Sequence, residues 1–229
     1  MLANFSYLND FIAITKSRID IQPLPVNEIF MAGSRKSGKT MAVYELFAKL
    51  LVLPNTKMRI YCFRKNQKDI KGSIYEEMWN AIDNLGYFPY ENKTRGLLKF
   101  NQNTLTFHSL HDRDNRKKKL SGLAGVSKFD YVFIHLEEAH EYEQQDIEDI
   151  KEAIRGAKNI CWIYSLNPWT LSHWLVKYIN DNLPFNLAIM KKLGYQFLLL
   201  KKEKKLFHFS NILVNTSLPE SDKEQLYEL

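Results

Sequence analysis

The chain has 229 residues, 45% of them apolar and 13% aromatic, which excludes a disordered segment and allows one α/β domain with a sizeable core. Its formal net charge of +6 fits a polyanionic partner, and its two cysteines, Cys62 and Cys161, both lie in apolar runs and read as buried reduced thiols. No apolar stretch approaches the ~20 residues a membrane span needs, and the N-terminus lacks a signal-peptide layout, so a soluble intracellular protein is expected.

In chain order, Glu28 to Ala32 is a short apolar run that predicts a buried strand. Residues 33 to 40 follow as Gly-Ser-Arg-Lys-Ser-Gly-Lys-Thr, a complete G-x-x-x-x-G-K-[ST] phosphate loop. Gly33 and Gly38 let the backbone curl so that the N–H groups of Ser34, Arg35, Lys36 and Ser37 turn inward on phosphate oxygens. Lys39 reaches the β- and γ-phosphates, and the Thr40 hydroxyl ligates Mg²⁺. Met41 to Val52 carries Val43, Leu46, Phe47, Leu50 and Leu51 at helical spacing, so the dipole of the following helix points at the same anion. Strand, loop and helix are the context this motif requires, against the alternative of a glycine turn before a surface helix. Arg35, inside the loop, either swings toward the γ-phosphate or is a solvated side chain.

Met58 to Phe63 predicts a second buried strand, ending at Arg64. Gln67 to Leu85 predicts a helix with Ile70, Ile74, Met78, Ile82 and Leu85 on one face and Gly86 as its stop. Leu97 to Leu110 predicts a hairpin around Asn101-Gln102-Asn103, with Leu105 and Phe107 sharing a face. A basic run follows: Arg113, Arg116, Lys117, Lys118 and Lys119. Tyr131 to Leu136 is another apolar strand, Gln144 to Arg155 a helix closed by Gly156, and Ile160 to Leu166 a further strand. A helix is expected around Leu171 to Ile179, and Phe207 to Val214 is a candidate last strand. Alternating strands and helices argue for a mostly parallel sheet covered by helices. The end of the chain, Glu220 to Leu229, reads as a helix opening, as in a piece of a longer protein.

The strand at 131–136 ends in two carboxylates, Glu137 and Glu138. In phosphate-loop enzymes an acid at this place holds the Mg²⁺ shell. Glu137 is the candidate for that role, and Glu138 is placed as the base that orients the attacking water. The alternative is a surface pair at a strand end. His135 and His140 flank the acids, but His-Leu-Glu-Glu-Ala-His has neither the order nor the four-residue step of a zinc-protease motif. Ser165-Leu-Asn-Pro168 closes the next strand. If that strand lies between the phosphate-loop and acidic strands, Ser165 and Asn167 fall beside the γ-phosphate; otherwise they form an ordinary Asn-Pro turn. A second basic run, Lys201, Lys202, Lys204 and Lys205, is like the first either a phosphate-tracking contact or a solvated loop.

Six segments together resemble the ATPase domain of the large terminase subunit of tailed phages: AGSRKSGKT (32–40), FRKNQKDIKGSIYEEM (63–78), NQNTLTFHSL (101–110), FDYVFIHLEEAHE (129–141), SLNPWTLSHWL (165–175) and HFSNILVNTSLPE (208–220). The resemblance implies an additional-strand, RecA-like phosphate-loop ATPase fold, with a core over residues 1–185 and a small C-terminal lid or linker over residues 186–229. It implies ATP and Mg²⁺ as cofactors and translocation of double-stranded DNA into a procapsid. The implied partners are a portal protein, a terminase small subunit and further copies of the chain in a ring, the isolated piece being monomeric. Carried over, Lys39 and Thr40 bind phosphate and Mg²⁺, Glu137 is the Mg²⁺-side acid, Glu138 the catalytic glutamate, Arg35 the loop arginine, and Ser165 to Asn167 the coupling motif. The sequence departs from the family in having Glu rather than Asp at 137 and in lacking an Arg-Gly pair before the acidic strand. That leaves Arg113 and Arg116 as the candidates for a trans-acting finger. Nothing in the chain supplies the acidic cluster of the family's nuclease domain, so no nuclease activity is expected from it.

Overall fold

In the computed structural model, the described residues are 3–15, 21–34, 36–66, 68, 70–92, 96–110, 120, 123, 125–167, 172–182 and 197–210. Nine strands among them form one sheet. They are β1 (Glu28–Gly33), β2 (Met58–Arg64), β3 (Tyr90–Asn92), β4 (Leu97–Phe100), β5 (Asn103–Ser109), β6 (Tyr131–Leu136), β7 (Ile160–Leu166), β8 (Phe197–Lys202) and β9 (Lys205–Ser210). The order is β3-β4-β5-β2-β6-β7-β1-β9-β8. Every neighbouring pair from β5 across to β9 is parallel, and antiparallel hairpins close both edges. As anticipated, β7 lies between β1 and β6.

Helices cover both faces, which is why the central strands read as unbroken apolar runs rather than alternating ones. On one face Ile29, Met31, Ile60, Cys62, Phe133, Cys161 and Ile163 pack under α1 (Asn9–Thr15), α2 (Lys39–Leu51) and α3 (Glu76–Asp83). On the other, Phe30, Tyr61, Phe63, Ile134, Trp162 and Tyr164 pack under α4 (Gln144–Ala153) and α5 (Trp174–Asn182). Both cysteines are buried free thiols whose pKa burial pushes up. Among the described residues no helix is long and apolar enough to cross a membrane.

The N-terminal segment carried an unread signal. Phe5, Leu8 and Phe11 recur at threefold spacing through a 3-10 turn (Ala3–Leu8) into α1, and all three are buried. At about 1.5–3 kcal/mol per buried side chain, they are enough to dock the segment. The Phe5 ring stacks on His208 of β9 at 4.3 Å.

Two expectations change in detail. The 67–85 helix splits into π-helical turns over Ile70–Tyr75 and α3 proper. Its stop behaves as read: Gly86 adopts φ +68° and its N–H bonds Asp83 O at 2.9 Å. Asn103 is not a turn residue but the first residue of β5, fully buried. Its amide donates to the carbonyls of Leu50, Leu51 and Leu53 at 3.3, 3.0 and 2.8 Å, and its Oδ1 accepts from Met58 N at 2.9 Å. It thereby satisfies the carbonyls that the end of α2 leaves open.

The expected boundary at 185/186 does not coincide with a break in the sheet. β8 and β9, both beyond it, extend the sheet next to β1. The basic run at 201–205 forms their hairpin, with Glu203 at φ +52° in the turn. Lys204 Nζ donates to Leu24 O at 3.0 Å, and Lys205 Nζ meets Glu28 Oε2 at 2.5 Å, so half of the run serves the fold. The segment 211–229, including the latter part of the expected last strand, lies outside the described residues.

Candidate functional site

The candidate site forms at the C-terminal tips of β1, β6 and β7, where a parallel sheet exposes its loops. β1 ends at Gly33, whose backbone pairs with Ser210 of β9. A Cβ at Gly33 would lie 1.8 Å from Ser210 O. Glycine is needed there because the neighbouring strand passes so close, a reason that local sequence does not contain. Gly38 acts locally, as the N-cap of α2 with φ +87°. Lys36 is also left-handed, at φ 59°.

Lys39, in the first turn of α2, is buried. Its Nζ donates to Gly33 O (3.1 Å), Ser34 O (2.8 Å), Ser37 Oγ (3.1 Å) and Asn167 Oδ1 (3.2 Å). Burial lowers its pKa to about 8, against the opposing pull of Glu137 and Glu138. A buried ammonium met by neutral acceptors is poised for an anion.

Thr40 Oγ1 donates to Glu137 Oε1 at 2.8 Å. Glu137 is buried, and its backbone N–H continues the β2–β6 ladder through Phe63 O at 3.0 Å. Burial pushes the Glu137 carboxyl up, but His135, Thr40 and Lys39 outweigh it and hold the group below the ordinary carboxylate range. Neighbouring residues on a strand face opposite sides. Glu138 breaks that rule by adopting φ 51°, ψ 53°, a left-handed conformation that costs about 1–2 kcal/mol outside glycine. The sharp exit from β6 lets both carboxylates line one cleft.

Glu138 Oε2 accepts from Asn167 Nδ2 at 3.0 Å. Asn167 therefore spans the site, its amide oxygen on Lys39 and its amide nitrogen on Glu138. Burial and the Glu137 charge raise the Glu138 pKa, with Arg64 at the tip of β2 pulling the other way. His140 Nδ1 lies 3.4 Å from Glu138 Oε2 but accepts the Asn167 backbone N–H at 3.3 Å. Burial, His173 and Arg64 depress its pKa to about 4, so the ring is neutral and acts as an acceptor. Among the described residues no three His, Cys, Asp or Glu side chains are arranged to hold a metal by themselves.

The cleft measures about 430 Å³ and is lined by the loop, both acids, Ser165 and Asn167. Glu77 of α3 also lines it and went unread in the sequence, since it sits off the apolar stripe that defined its helix. Burial and Glu137 raise its carboxyl pKa. Ser165 lies deeper than expected: it is buried, and its Oγ is 2.7 Å from His135 Nε2. Arg35 and the run Arg113, Arg116, Lys117, Lys118 and Lys119 lie outside the described residues, as does Pro168. Thr40 and Glu137 present hard oxygen donors side by side, the donor type Mg²⁺ takes when water and phosphate oxygens complete its shell. These residues fit that ion.

A phosphate loop at the tip of β1, with β7 inserted between β1 and the acid-bearing β6, defines an additional-strand, RecA-like α/β domain. The model of the phage terminase large subunit family matches residues 26–229, and the chain belongs to that family. The large terminase of a thermophilic bacteriophage superimposes with a TM-score of 0.65 at 12% identity, over 88% of this chain and 45% of that one. The same protein in complex with ATP-gamma-S gives 0.60 at 14%, over 88% and 43%. The N-terminal domain of the DNA packaging ATPase from bacteriophage phi29 gives 0.52 at 14%, over 84% and 93%. At these identities the likeness is one of fold, and the chain spans about half the length of the thermophilic phage's terminase. No curated protein matches it.

Proposed function

We propose that this chain hydrolyses ATP as the motor domain of a DNA-packaging large terminase subunit. The observation that carries the reading is Asn167, which joins the phosphate-loop Lys39 to the strand-end Glu138 within one cleft. The loop N–H groups and Lys39 hold the polyphosphate, and Thr40 with Glu137 hold Mg²⁺, which when bound offsets charge on the phosphate oxygens. Glu138 orients a water and takes its proton as the water oxygen attacks the γ-phosphorus. The bond from that phosphorus to the bridging oxygen breaks, giving ADP and inorganic phosphate. The raised pKa of Glu138 suits a base. Arg35 stabilises the spreading charge from within the loop. Asn167, touching both the lysine and the base, passes the state of the γ-phosphate to β7, with Ser165 behind it.

Family membership supports the larger role: translocation of double-stranded DNA into a procapsid through a portal protein, with a small subunit as partner and a ring of copies as the working form, in the cytoplasm of the host cell. The first basic run, Arg113 to Lys119, tracks DNA phosphates or touches a neighbouring copy.

The test is ATP turnover and nucleotide binding by the wild type, Lys39→Ala and Glu138→Gln, with and without double-stranded DNA. Lys39→Ala is expected to lose binding. Glu138→Gln is expected to bind ATP and to hydrolyse it about 10²–10⁴-fold more slowly. Normal turnover by Glu138→Gln rejects the assigned base. Transfer to an acceptor other than water identifies a kinase-like transferase, and tight binding without turnover in any condition identifies a nucleotide-gated module.

A further inference from the structure

Two side-chain chains run from the start of α2 to β7. The first, Lys39–Asn167–Glu138, belongs to the hydrolytic reading. The second, Thr40–Glu137–His135–Ser165, lies beneath it, and its histidine has no part in that reading.

His135 is fully buried on β6. Spacing of two residues puts it on the same face as Glu137, under α2. Tyr44 and Phe47 of α2 wall the ring edge-on, with centroids 5.4 and 6.0 Å away. Nε2 lies 2.7 Å from Ser165 Oγ and 3.1 Å from Glu137 Oε2. A lone pair on Nε2 would face a carboxylate oxygen at that distance, so the ring proton sits on Nε2, where it is donated to Ser165 Oγ beside the Glu137 carboxylate. An imidazole in an otherwise apolar layer is costly unless its hydrogen bonds serve the fold or the site. Here a hydrogen bond to Ser165 and a close polar contact with Glu137 join the metal-side acid to the strand that bears the coupling residues.

We propose that His135 is a positioning residue that ties the Glu137 carboxylate to Ser165, so that the acid and the tip of β7 move as one unit. The inference rests on the hydrolytic reading in taking Glu137 as the metal-side acid. It gives Ser165 a different task from Asn167: Asn167 touches the base and the lysine, whereas Ser165 meets the metal-side acid through the histidine. Displacement of β7 then changes where Glu137 holds the ion, and occupancy of the metal side bears on β7 in turn.

The experiment is the affinity of a fluorescent ATP analogue in EDTA and across a magnesium titration, for the wild type, His135→Phe, His135→Gln, Ser165→Ala and the double variant His135→Phe/Ser165→Ala. Phe fills the aromatic-walled space without the hydrogen bond, and Gln keeps a donor near the Nε2 position. Metal-free affinity is expected to stay within about twofold in the two His135 single variants, because the loop and the cleft lining are untouched. The magnesium midpoint is expected to rise about tenfold in His135→Phe, the usual scale for losing the partner that orients a metal ligand. His135→Gln should recover most of that shift. Ser165→Ala should move the midpoint the same way, and the double variant no further than His135→Phe.

A thermal transition at the wild-type temperature shows that His135→Phe is folded. An unchanged magnesium midpoint in that folded variant overturns the inference, and so do additive effects in the double variant. Should His135→Phe not fold, Ser165→Ala breaks the same link from β7, and an unchanged midpoint there is equally decisive. A wild type that binds the analogue identically with and without magnesium rejects the hydrolytic reading and this inference together. A wild type that responds to magnesium while His135→Phe responds equally rejects the inference alone.

Discussion

Two partly buried polar clusters sit at opposite ends of the parallel sheet, each built around a lysine. At the N-terminal ends of β1 and β9, Lys205 Nζ lies 2.5 Å from Glu28 Oε2 and 2.6 Å from Tyr178 Oη, and Tyr178 donates to the same carboxylate at 2.9 Å. At the C-terminal tips, Lys39 donates to neutral oxygens, with two carboxylates nearby. Burial works against the charge of both lysines. At Lys205, Glu28 and Tyr178 outweigh it and raise the pKa; at Lys39 burial wins and the pKa falls to about 8. The first cluster is closed, one charge against one, and clamps α5 to the sheet. The second is open: its lysine is met by carbonyl, hydroxyl and amide oxygens, and its two acids lie against histidines. An open cluster invites a ligand of mixed charge, such as a metal-bound polyphosphate.

The sharpest way to break this contrast is to delete each lysine. Lys39→Ala should lower nucleotide affinity by about 10²-fold or more, since charge-assisted hydrogen bonds contribute about 1.5–3 kcal/mol each. Lys205→Ala should leave affinity within about twofold. It should instead lower stability by about 2 kcal/mol, less than the ~3–5 kcal/mol of a fully buried pair because both partners keep some exposure. Equilibrium denaturation and analogue binding on both variants decide it; a nucleotide effect in Lys205→Ala would erase the distinction.

Gly33→Ala tests the structure that separates the clusters. Its Cβ would collide with Ser210 O, forcing β9 away from β1. Overpacking of this kind costs about 1–3 kcal/mol, and at this distance the upper end is expected. A thermal midpoint equal to the wild type's would show that the strand yields freely.

The smallest effect is on pH. The lysine of the open cluster has a folded pKa of about 8, and a bound polyphosphate raises it. The complex therefore holds a proton that the free chain has lost above pH 8. Affinity should be flat below pH 8 and fall above it, by at most tenfold per unit, with proton uptake on binding. Calorimetry in buffers of different ionisation enthalpy reads that proton. The closed cluster makes the opposite case: the Lys205 pKa is raised above 10.5, so its contribution to stability is complete below that value and lost only at still higher pH.

Much of this was legible in the residues. The phosphate loop is a contiguous pattern whose spacing has a local reason, and the acid pair follows an apolar strand in the same way. Helix-covered parallel strands announce themselves as unbroken apolar runs, so β1, β2, β6 and β7 were readable. Charge runs were not: the lysines at 201–205 look alike in sequence, yet two are held by the fold because β9 returns beside β1. Asn103 resembled a turn residue because its side chain serves a helix end some fifty residues earlier.

By itself, then, the amino-acid order determined the strand and helix types around the site, the glycine-bearing loop after β1 and the two carboxylates after β6. These rest on periodicity and short-range backbone geometry, which act within one element. The tertiary structure decided why Gly33 is glycine, that Glu77 shares the cleft, that Asn167 bridges Lys39 and Glu138, and that His135 lies between Glu137 and Ser165. Each of these depends on which strands lie side by side. That pairing is set by burial summed over the whole sheet, and no local pattern encodes it.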